Sequence, residues 1–93
     1  MLTYEYDRSR FTITELKHEH DVEIRVHCLQ QEDSVHQAFH RMRKHFDGND
    51  VITDVMLYVH HNEEYHWIVR HDFYTDFIIN LFKHQLVTSV RWD

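Results

Sequence analysis

Residues 51–70 read VITDVMLYVHHNEEYHWIVR, and this stretch decides the fold. Apolar and polar residues alternate on both sides of a polar turn, a pattern that predicts two antiparallel strands over residues 51–60 and 65–70. The turn lies within residues 61–64. If it holds an odd number of residues, one face of the strand pair is continuously apolar and carries Val55, Leu57, Val59, Tyr65, Trp67 and Val69. An even number would divide these side chains between two faces.

The residues before this strand pair predict a further strand and a helix. Residues 22–28 alternate, so that Glu23, Arg25 and His27 point away from an inward set of Val22, Ile24, Val26 and Cys28. From Ser34 the apolar spacing becomes helical, with intervals of three and four between Val35, Ala38, Phe39, Met42 and Phe46. Ser34 and Gln37 match a capping box at the start of this helix, and Gly48 is placed for a left-handed cap at its end.

The residues after the strand pair predict a second helix and a last strand. Asp72 is a suitable N-cap for a helix that continues to about His84. Its wide apolar stripe consists of Phe73, Phe77 and Leu81, flanked by Tyr74, Ile78 and Phe82. Residues 86–92 then form a strand with Leu86, Val90 and Trp92 inward and Val87, Ser89 and Arg91 outward.

The N-terminal residues predict a β-hairpin, because residues 2–7 alternate and residues 11–17 are rich in β-branched side chains. The whole order of elements predicts an α+β fold, an antiparallel sheet with two helices on one face. Its last six elements resemble the split βαβ arrangement of ferredoxin-like folds. We expect a single domain over residues 1–93, with residues 1–20 as the hairpin extension and residues 21–93 as the βαββαβ core.

This topology contains one conflict. In a ferredoxin-like sheet the strand at residues 22–28 is flanked by the third and fourth strands of the core. No position then remains for the strand at residues 11–17, although its short link favours pairing with residues 22–28. Either the hairpin folds over an edge or a face of the sheet, the alternative we favour, or the sheet is a meander with another strand order.

Composition excludes several classes of function. With one Gly and no Pro, the chain cannot build the glycine-rich loops that hold nucleotide phosphates. The 10 Lys and Arg residues against 16 Asp and Glu give a net charge of −6 at pH 7, so we expect neither a nucleic acid nor a membrane as partner. Cys28 is the only cysteine and no long apolar segment is present, so we expect a soluble cytoplasmic protein.

The 11 histidines are the unusual feature of the composition. At about pH 5.5 roughly ten of them would be protonated at the reference imidazole pKa, which would reverse the sign of the net charge. His27, His60 and His66 are expected near one end of the sheet, where three imidazoles could bind a divalent transition metal such as Zn²⁺, Ni²⁺ or Cu²⁺. A second pair, His36 and His40, lies one helical turn apart, with Glu32 a turn earlier, although a solvated helix face explains the pair more simply.

No catalytic residues are predicted. His27 and Cys28 are sequence neighbours on a strand and point to opposite faces, so they cannot form a thiolate–imidazolium pair there. Cys28 is expected in the core as a small apolar residue. We therefore regard an enzymatic role as less favoured than a binding role.

The sheet face opposite the helices is expected to be open and partly apolar, unless the N-terminal hairpin covers it. Its candidate contact residues for a partner or a ligand are Arg25, Met56, Tyr58, Ile68, Arg70 and Arg91. We expect a non-enzymatic interaction or regulatory module that self-associates through the open sheet face or an edge strand, most simply as a homodimer. The alternatives are a metal-binding or pH-responsive protein that uses the histidines, or a small-molecule-binding or oxygenase-type ferredoxin-like dimer with a ligand pocket between sheet and helices.

Overall fold

The computed structural model describes residues 1–47, 54–61 and 63–93. These residues form an α+β fold with antiparallel sheets and two α-helices, as predicted. In chain order the elements are β1 (Leu2–Glu5), β2 (Phe11–Lys17), β3 (Asp21–Cys28), α1 (Asp33–Asp47), β4 (Val55–His60), β5 (Glu64–Arg70), α2 (Tyr74–Lys83) and β6 (Ser89–Trp92). Residues 51–53, which were predicted to begin a strand, and Gly48 lie outside the described residues.

The larger sheet has four strands in the order β2-β3-β5-β4. His60 pairs with Glu64, so the β4–β5 turn comprises residues 61–63, and the odd turn needed for a continuous apolar face is confirmed. Glu63 has a φ of 59°, the left-handed conformation that often ends a three-residue hairpin loop. Of the apolar side chains on this face, Val59 at the sheet edge stays 54% exposed, whereas the others are buried: Val55, Leu57, Tyr65, Trp67 and Val69.

Both helices pack on this apolar face of the larger sheet, as predicted. The fully buried Trp67 joins the layers, because its ring lies 5.6 Å from Phe39 of α1 and 4.9 Å from Phe77 of α2 between ring centres. The buried residues of α1 are the five that the helical spacing predicted: Val35, Ala38, Phe39, Met42 and Phe46. Burial of each large apolar side chain contributes about 1.5–3 kcal/mol to folding.

The capping box predicted for α1 is wrong, because Ser34 lies within the helix rather than at its N-cap. The helix begins at Asp33, and the His36 N–H donates to the Glu32 carbonyl at 3.3 Å. Ser34 therefore lies inside the first turn rather than before it. The carboxylate of Asp33 in that turn interacts favourably with the positive end of the helix dipole.

The second helix also differs from its prediction at both ends. A 3₁₀ turn at His71–Phe73 contains Asp72, so Phe73 rather than Asp72 is the N-cap of α2. At the other end Gln85 has a φ of 62°, and the Leu86 N–H donates to the Leu81 carbonyl at 2.8 Å. The Gln85 N–H also donates to the Phe82 carbonyl, which completes a Schellman motif.

This motif explains why the last strand is shorter than predicted. Leu86 and Val87 are both buried directly after α2, and β6 begins at Ser89. Val87 was predicted to point outward and Trp92 inward. Both predictions are wrong, because Val87 is buried and Trp92 is 68% exposed. Phe82, predicted in the apolar stripe, is 48% exposed, while Asn80 is buried and its Nδ2 donates to the Asp76 carbonyl.

The predicted N-terminal hairpin is wrong, and so is the predicted place of the last strand. β1 pairs with β6 in a separate two-stranded sheet, whereas β2 pairs with β3 and takes the outer position that a ferredoxin-like order gives to the last strand. The His18 N–H donates to the Asp21 carbonyl at 2.8 Å in a tight β2–β3 turn, and so short a loop costs little closure entropy. The other alternative is correct in that the strand order differs, but the sheet is not the meander expected with it, because β3 is bonded to β5 rather than to β4.

Candidate interaction surface

The face of the larger sheet opposite the helices carries no covering element among the described residues. We call it the open face. Strand alternation places on it Thr12, Thr14 and Leu16 of β2, Glu23, Arg25 and His27 of β3, Met56, Tyr58 and His60 of β4, and Glu64, His66, Ile68 and Arg70 of β5. Tyr6 stacks on Phe11, a buried residue on the opposite face of β2, so the N-terminal tyrosines do not cover the open face.

One corner of the open face is apolar. Met56 of β4 pairs with Ile68 of β5, and Tyr58 follows on β4 with 47% of its surface exposed. We call these three residues the apolar corner. Leu16 is also exposed on this face, but it lies on β2, separated from Ile68 by Glu23. The apolar corner therefore borders one edge of the sheet, that of β4.

The charged residues of the open face are paired with one another. Glu23 accepts hydrogen bonds from Nε2 of His18 at 2.5 Å and from Nε2 of His66 at 2.7 Å. These two bonds hold the pKa of the Glu23 carboxyl below its usual value. A guanidinium nitrogen of Arg25 lies 3.6 Å from Glu64. Arg70 lies 3.5 Å from Asp54, so its guanidinium also has an acidic partner within the chain.

The structure brings together two of the three histidines predicted as metal ligands. The rings of His60 and His66 are 5.8 Å apart between centres. His27 pairs with Glu64, which in turn pairs with His60, so a whole strand separates His27 from His60. In the described part of the chain, no three His, Cys, Asp or Glu side chains form a group that could hold a metal ion.

The second predicted pair, His36 and His40, lies on the exposed side of α1. Nδ1 of His36 is 3.3 Å from the hydroxyl of Tyr65. Glu32, the possible third ligand, instead forms an ion pair of 3.1 Å with Arg10. The arrangement therefore matches a solvated helix face more closely than a ligand set.

Five of the six residues predicted for the contact face lie on the open face: Arg25, Met56, Tyr58, Ile68 and Arg70. Arg91 does not, and that prediction is wrong. It lies on β6, opposite Thr3 of β1, and its guanidinium is 3.4 Å from Asp93. The error arises because the last strand, β6, lies in the two-stranded sheet, while β2 holds the outer position of the larger sheet that was expected for it.

The two outer strands of the larger sheet present different edges. The Arg70 N–H donates to the Asp54 carbonyl, and the Leu29 N–H donates to the Arg10 carbonyl, each at 2.9 Å. Because backbone groups alternate in direction along a strand, the even-numbered residues of β4 and β2 bond to the neighbouring strand. The odd-numbered residues of both strands direct their N–H and C=O groups outward.

The outward backbone groups at the middle of β2 are occupied by a side chain. The Tyr6 hydroxyl accepts the Ile13 N–H at 3.0 Å and donates to the Ile13 carbonyl at 3.3 Å. A single hydroxyl thus takes the hydrogen bonds that another strand would make. This is a form of edge protection, which keeps sheets from pairing with other chains.

The edge of β4 has no comparable protection among the described residues. The N–H and C=O groups of Val55, Leu57 and Val59 point outward from this edge, and no described strand bonds to them. No charged side chain interrupts residues 55–59. A groove of about 160 Å³ lies along this edge between residues 55–58 and the side chains of Arg43 and Asp47 on α1.

The interior between the sheet and the helices is filled. The side chains around Trp67 are fully buried, so the described residues leave no ligand cavity at the place expected for a small-molecule-binding protein. Cys28 is buried in this core, as predicted, and desolvation raises its pKa to about 11. An open depression of about 400 Å³ near the start of α1 is lined by acidic residues and by histidines, among them Glu32, Glu63, His36 and His60.

Comparisons of the chain with protein-family models, with curated proteins and with solved structures gave no match. Over the described ranges, no helix is long and apolar enough to span a membrane. The functional interpretation therefore depends on the geometry of the open face and of the β4 edge.

Proposed function

We propose that this protein is a non-enzymatic interaction module that self-associates through its four-stranded sheet, most simply as a homodimer. The observation that carries the proposal is the position of the apolar corner. Met56, Tyr58 and Ile68 lie on the uncovered face, directly beside the β4 edge with its outward backbone groups. Apolar surface next to an unprotected strand edge favours contact with another protein chain.

A second copy of the chain fits this surface better than a strongly charged partner. The charged side chains of the open face already have partners within the chain, and a charged partner would have to break these contacts: the hydrogen bond of Glu23 with His66 and the ion pairs of Arg25 with Glu64 and of Arg70 with Asp54. A second copy instead brings an apolar corner of the same size. A two-fold interface requires only that one patch be complementary to itself.

Sedimentation equilibrium at pH 7.5 tests the proposal. We expect a monomer–dimer equilibrium whose dimer fraction rises with protein concentration. Tyr58→Lys should weaken the dimer at least about tenfold, or ~1.4 kcal/mol, because it places a charge in the apolar corner. Leu16→Lys is the matched control, since Leu16 is equally accessible on the same face but borders the opposite edge. A protein that stays monomeric, or equal effects of the two variants, would contradict the proposal.

A second candidate function, pH-responsive association, is favoured by the position of two histidines. The His66 ring lies 5.8 Å from the His60 ring and 6.2 Å from the Tyr58 ring between ring centres. Nε2 of His66 lies 2.7 Å from Glu23, and Arg25 is the residue of β3 that pairs with His66. Protonation of either imidazole would place positive charge beside the apolar corner, so we expect a weaker dimer at about pH 5.5 than at pH 7.5.

The matched experiment compares dimer affinity at pH 7.5 and pH 5.5. Wild-type protein should associate more weakly at the lower pH, and the double variant His60→Gln with His66→Gln should lose most of this difference. An affinity that does not change with pH in the wild type would exclude this second function and leave the first unaffected.

A further inference from the structure

We infer that two copies of the chain join by antiparallel pairing of β4 with β4 of the second copy, with Leu57 on the two-fold axis. The two larger sheets then form one continuous sheet. This inference rests on the proposed self-association and specifies its contact. It follows from the hydrogen bonds among the described residues, which occupy the outward groups at the middle of β2 but leave those of β4 able to accept a further strand.

The register follows from the outward residues of β4. A two-fold axis at Leu57 pairs Leu57 with its own copy and Val55 with Val59, so all three outward residues obtain a partner. An axis at Met56 would place Val59 opposite residue 53, which lies outside the described residues. An axis at Tyr58 would place Val55 opposite the β4–β5 turn. Among the described residues, the register centred on Leu57 therefore makes the most backbone hydrogen bonds.

The side chains agree with this register on both faces of the sheet. On the open face, Met56 of one copy lies opposite Tyr58 of the other, so the two apolar corners meet across the axis. On the helix side, the exposed Val59 lies opposite Val55, and residues 55–59 bring no charged side chain into the pairing. Cross-strand pairs of these types are favourable contacts in antiparallel sheets.

The groove beside β4 does not oppose the approach of a second copy. Arg43 and Asp47 form its α1 side and lie 3.9 Å apart, so their opposite charges largely cancel there. The other outer strand cannot make the same contact, because the Tyr6 hydroxyl already occupies the Ile13 N–H and C=O groups.

The contact is short, and the dimer should be weak. Five residues at about 3.4 Å each span roughly 17 Å of strand. Such a contact alone lies below the ~1,200 Å² of total buried surface that a stable dimer usually needs. We therefore expect a Kd on the order of 10–100 µM, in the range of weak and transient interfaces.

Substitution of Val59 tests the edge contact separately from an open-face contact. Val59 points to the helix side of the sheet, so a dimer packed through the open faces alone would not contact it. Val59→Lys introduces a charge at the pairing edge, and we expect the dimer Kd to rise at least about tenfold. Ile79→Lys on α2 is the control, since Ile79 is a β-branched residue of similar exposure. Circular dichroism of both variants checks that each is folded.

Disulfide trapping tests the register directly. In the double variant Met56→Cys with Tyr58→Cys, the thiol at position 56 of one copy faces the thiol at position 58 of the other copy. These two positions form a non-hydrogen-bonded pair, in which the Cα atoms lie about 4.5–5.5 Å apart. The same two residues in one chain are about 7 Å apart, too far for a disulfide. Mild oxidation should therefore yield a covalent dimer. Leu16→Cys on the far side of the open face is the control and should remain monomeric.

The outcomes separate this inference from the proposed function. If wild-type protein dimerises, Val59→Lys weakens the dimer and the double cysteine variant crosslinks, the inference is supported. If wild-type protein dimerises but neither variant behaves in this way, the edge contact is overturned and self-association through the open face stands. A wild-type protein that stays monomeric at millimolar concentration overturns both.

Discussion

Removal of the Tyr6 hydroxyl group tests whether this group protects the edge of β2. Tyr6→Phe removes this group and nothing else. The ring should keep its place, because it stacks on Phe11 at 5.6 Å between ring centres and lies 5.0 Å below the Arg8 guanidinium. The substitution therefore leaves the Ile13 N–H and C=O groups at the middle of β2 without their partner.

The expected loss of stability follows from the two hydrogen bonds. The Tyr6 side chain is half-buried, so water replaces the hydroxyl only in part. An unpaired backbone N–H in such a position costs about 1–2 kcal/mol, and the weaker bond to the carbonyl adds little. In a domain of this size each kcal/mol lowers Tm by about 4–8 °C.

Urea unfolding followed by tryptophan fluorescence measures this loss. Tyr58→Phe is the matched control, because the Tyr58 hydroxyl is exposed and contacts the Met56 sulfur at 3.9 Å, so its removal should change stability by no more than a few tenths of a kcal/mol. Hydrogen exchange of the Ile13 amide should become faster in Tyr6→Phe alone. If the two variants unfold at the same urea concentration, the Tyr6 hydroxyl does not protect the β2 edge.

Three further predictions concern individual side chains. The pKa of the Glu23 carboxyl is lowered in the folded protein, so its contribution to stability is complete above the usual carboxyl pKa of about 4.3 and disappears as pH falls through the lower folded value. The urea midpoint should therefore fall less between pH 7 and pH 3 in Glu23→Gln than in wild type. An equal fall in the two proteins would refute this. Cys28, buried with its pKa raised to about 11, should react with a thiol reagent at pH 8 only as fast as the protein opens, whereas rapid stoichiometric labelling would show that the thiol is accessible. Trp67→Ala should cost about 3–5 kcal/mol in chemical denaturation, and a loss below about 1 kcal/mol would mean that Trp67 is not central to the core.

Local patterns predicted the parts of the fold in which one face of an element is buried. The helical spacing gave the buried side of α1 correctly, and alternation gave the inward faces of β3, β4 and β5. Strand partners were harder, because an alternating strand records which face is buried but not which neighbour it has. The alternation therefore gave no indication that β2 pairs with β3 and that β1 pairs with β6. The left-handed Gln85 was equally hidden, since no glycine marks it.

The candidate site was predictable to the extent that it follows from strand alternation. Arg25, Met56, Tyr58, Ile68 and Arg70 share the open face because their positions within each strand fix the side to which they point. Arg91 failed because its place depended on a strand pairing that does not occur. The difference between the two edges could not be predicted from the sequence, since it depends on hydrogen-bond directions set by the strand order and on one tyrosine hydroxyl from the segment that follows β1.

The difference between the two edges also determines how far self-association can proceed. A sheet with two unprotected edges would add copies at both sides and grow into an open chain of subunits, whereas a contact with two-fold symmetry closes when each copy has used its one available edge. In this protein Tyr6 blocks β2, so pairing through β4 would stop at the dimer. Tyr6→Phe should then do more than lower stability, because freeing the β2 edge allows dimers to join. Sedimentation velocity of Tyr6→Phe should reveal species larger than the dimer, and the addition of Val59→Lys should return the protein to smaller species. A Tyr6→Phe variant with wild-type sedimentation would mean that something other than Tyr6 limits growth at β2.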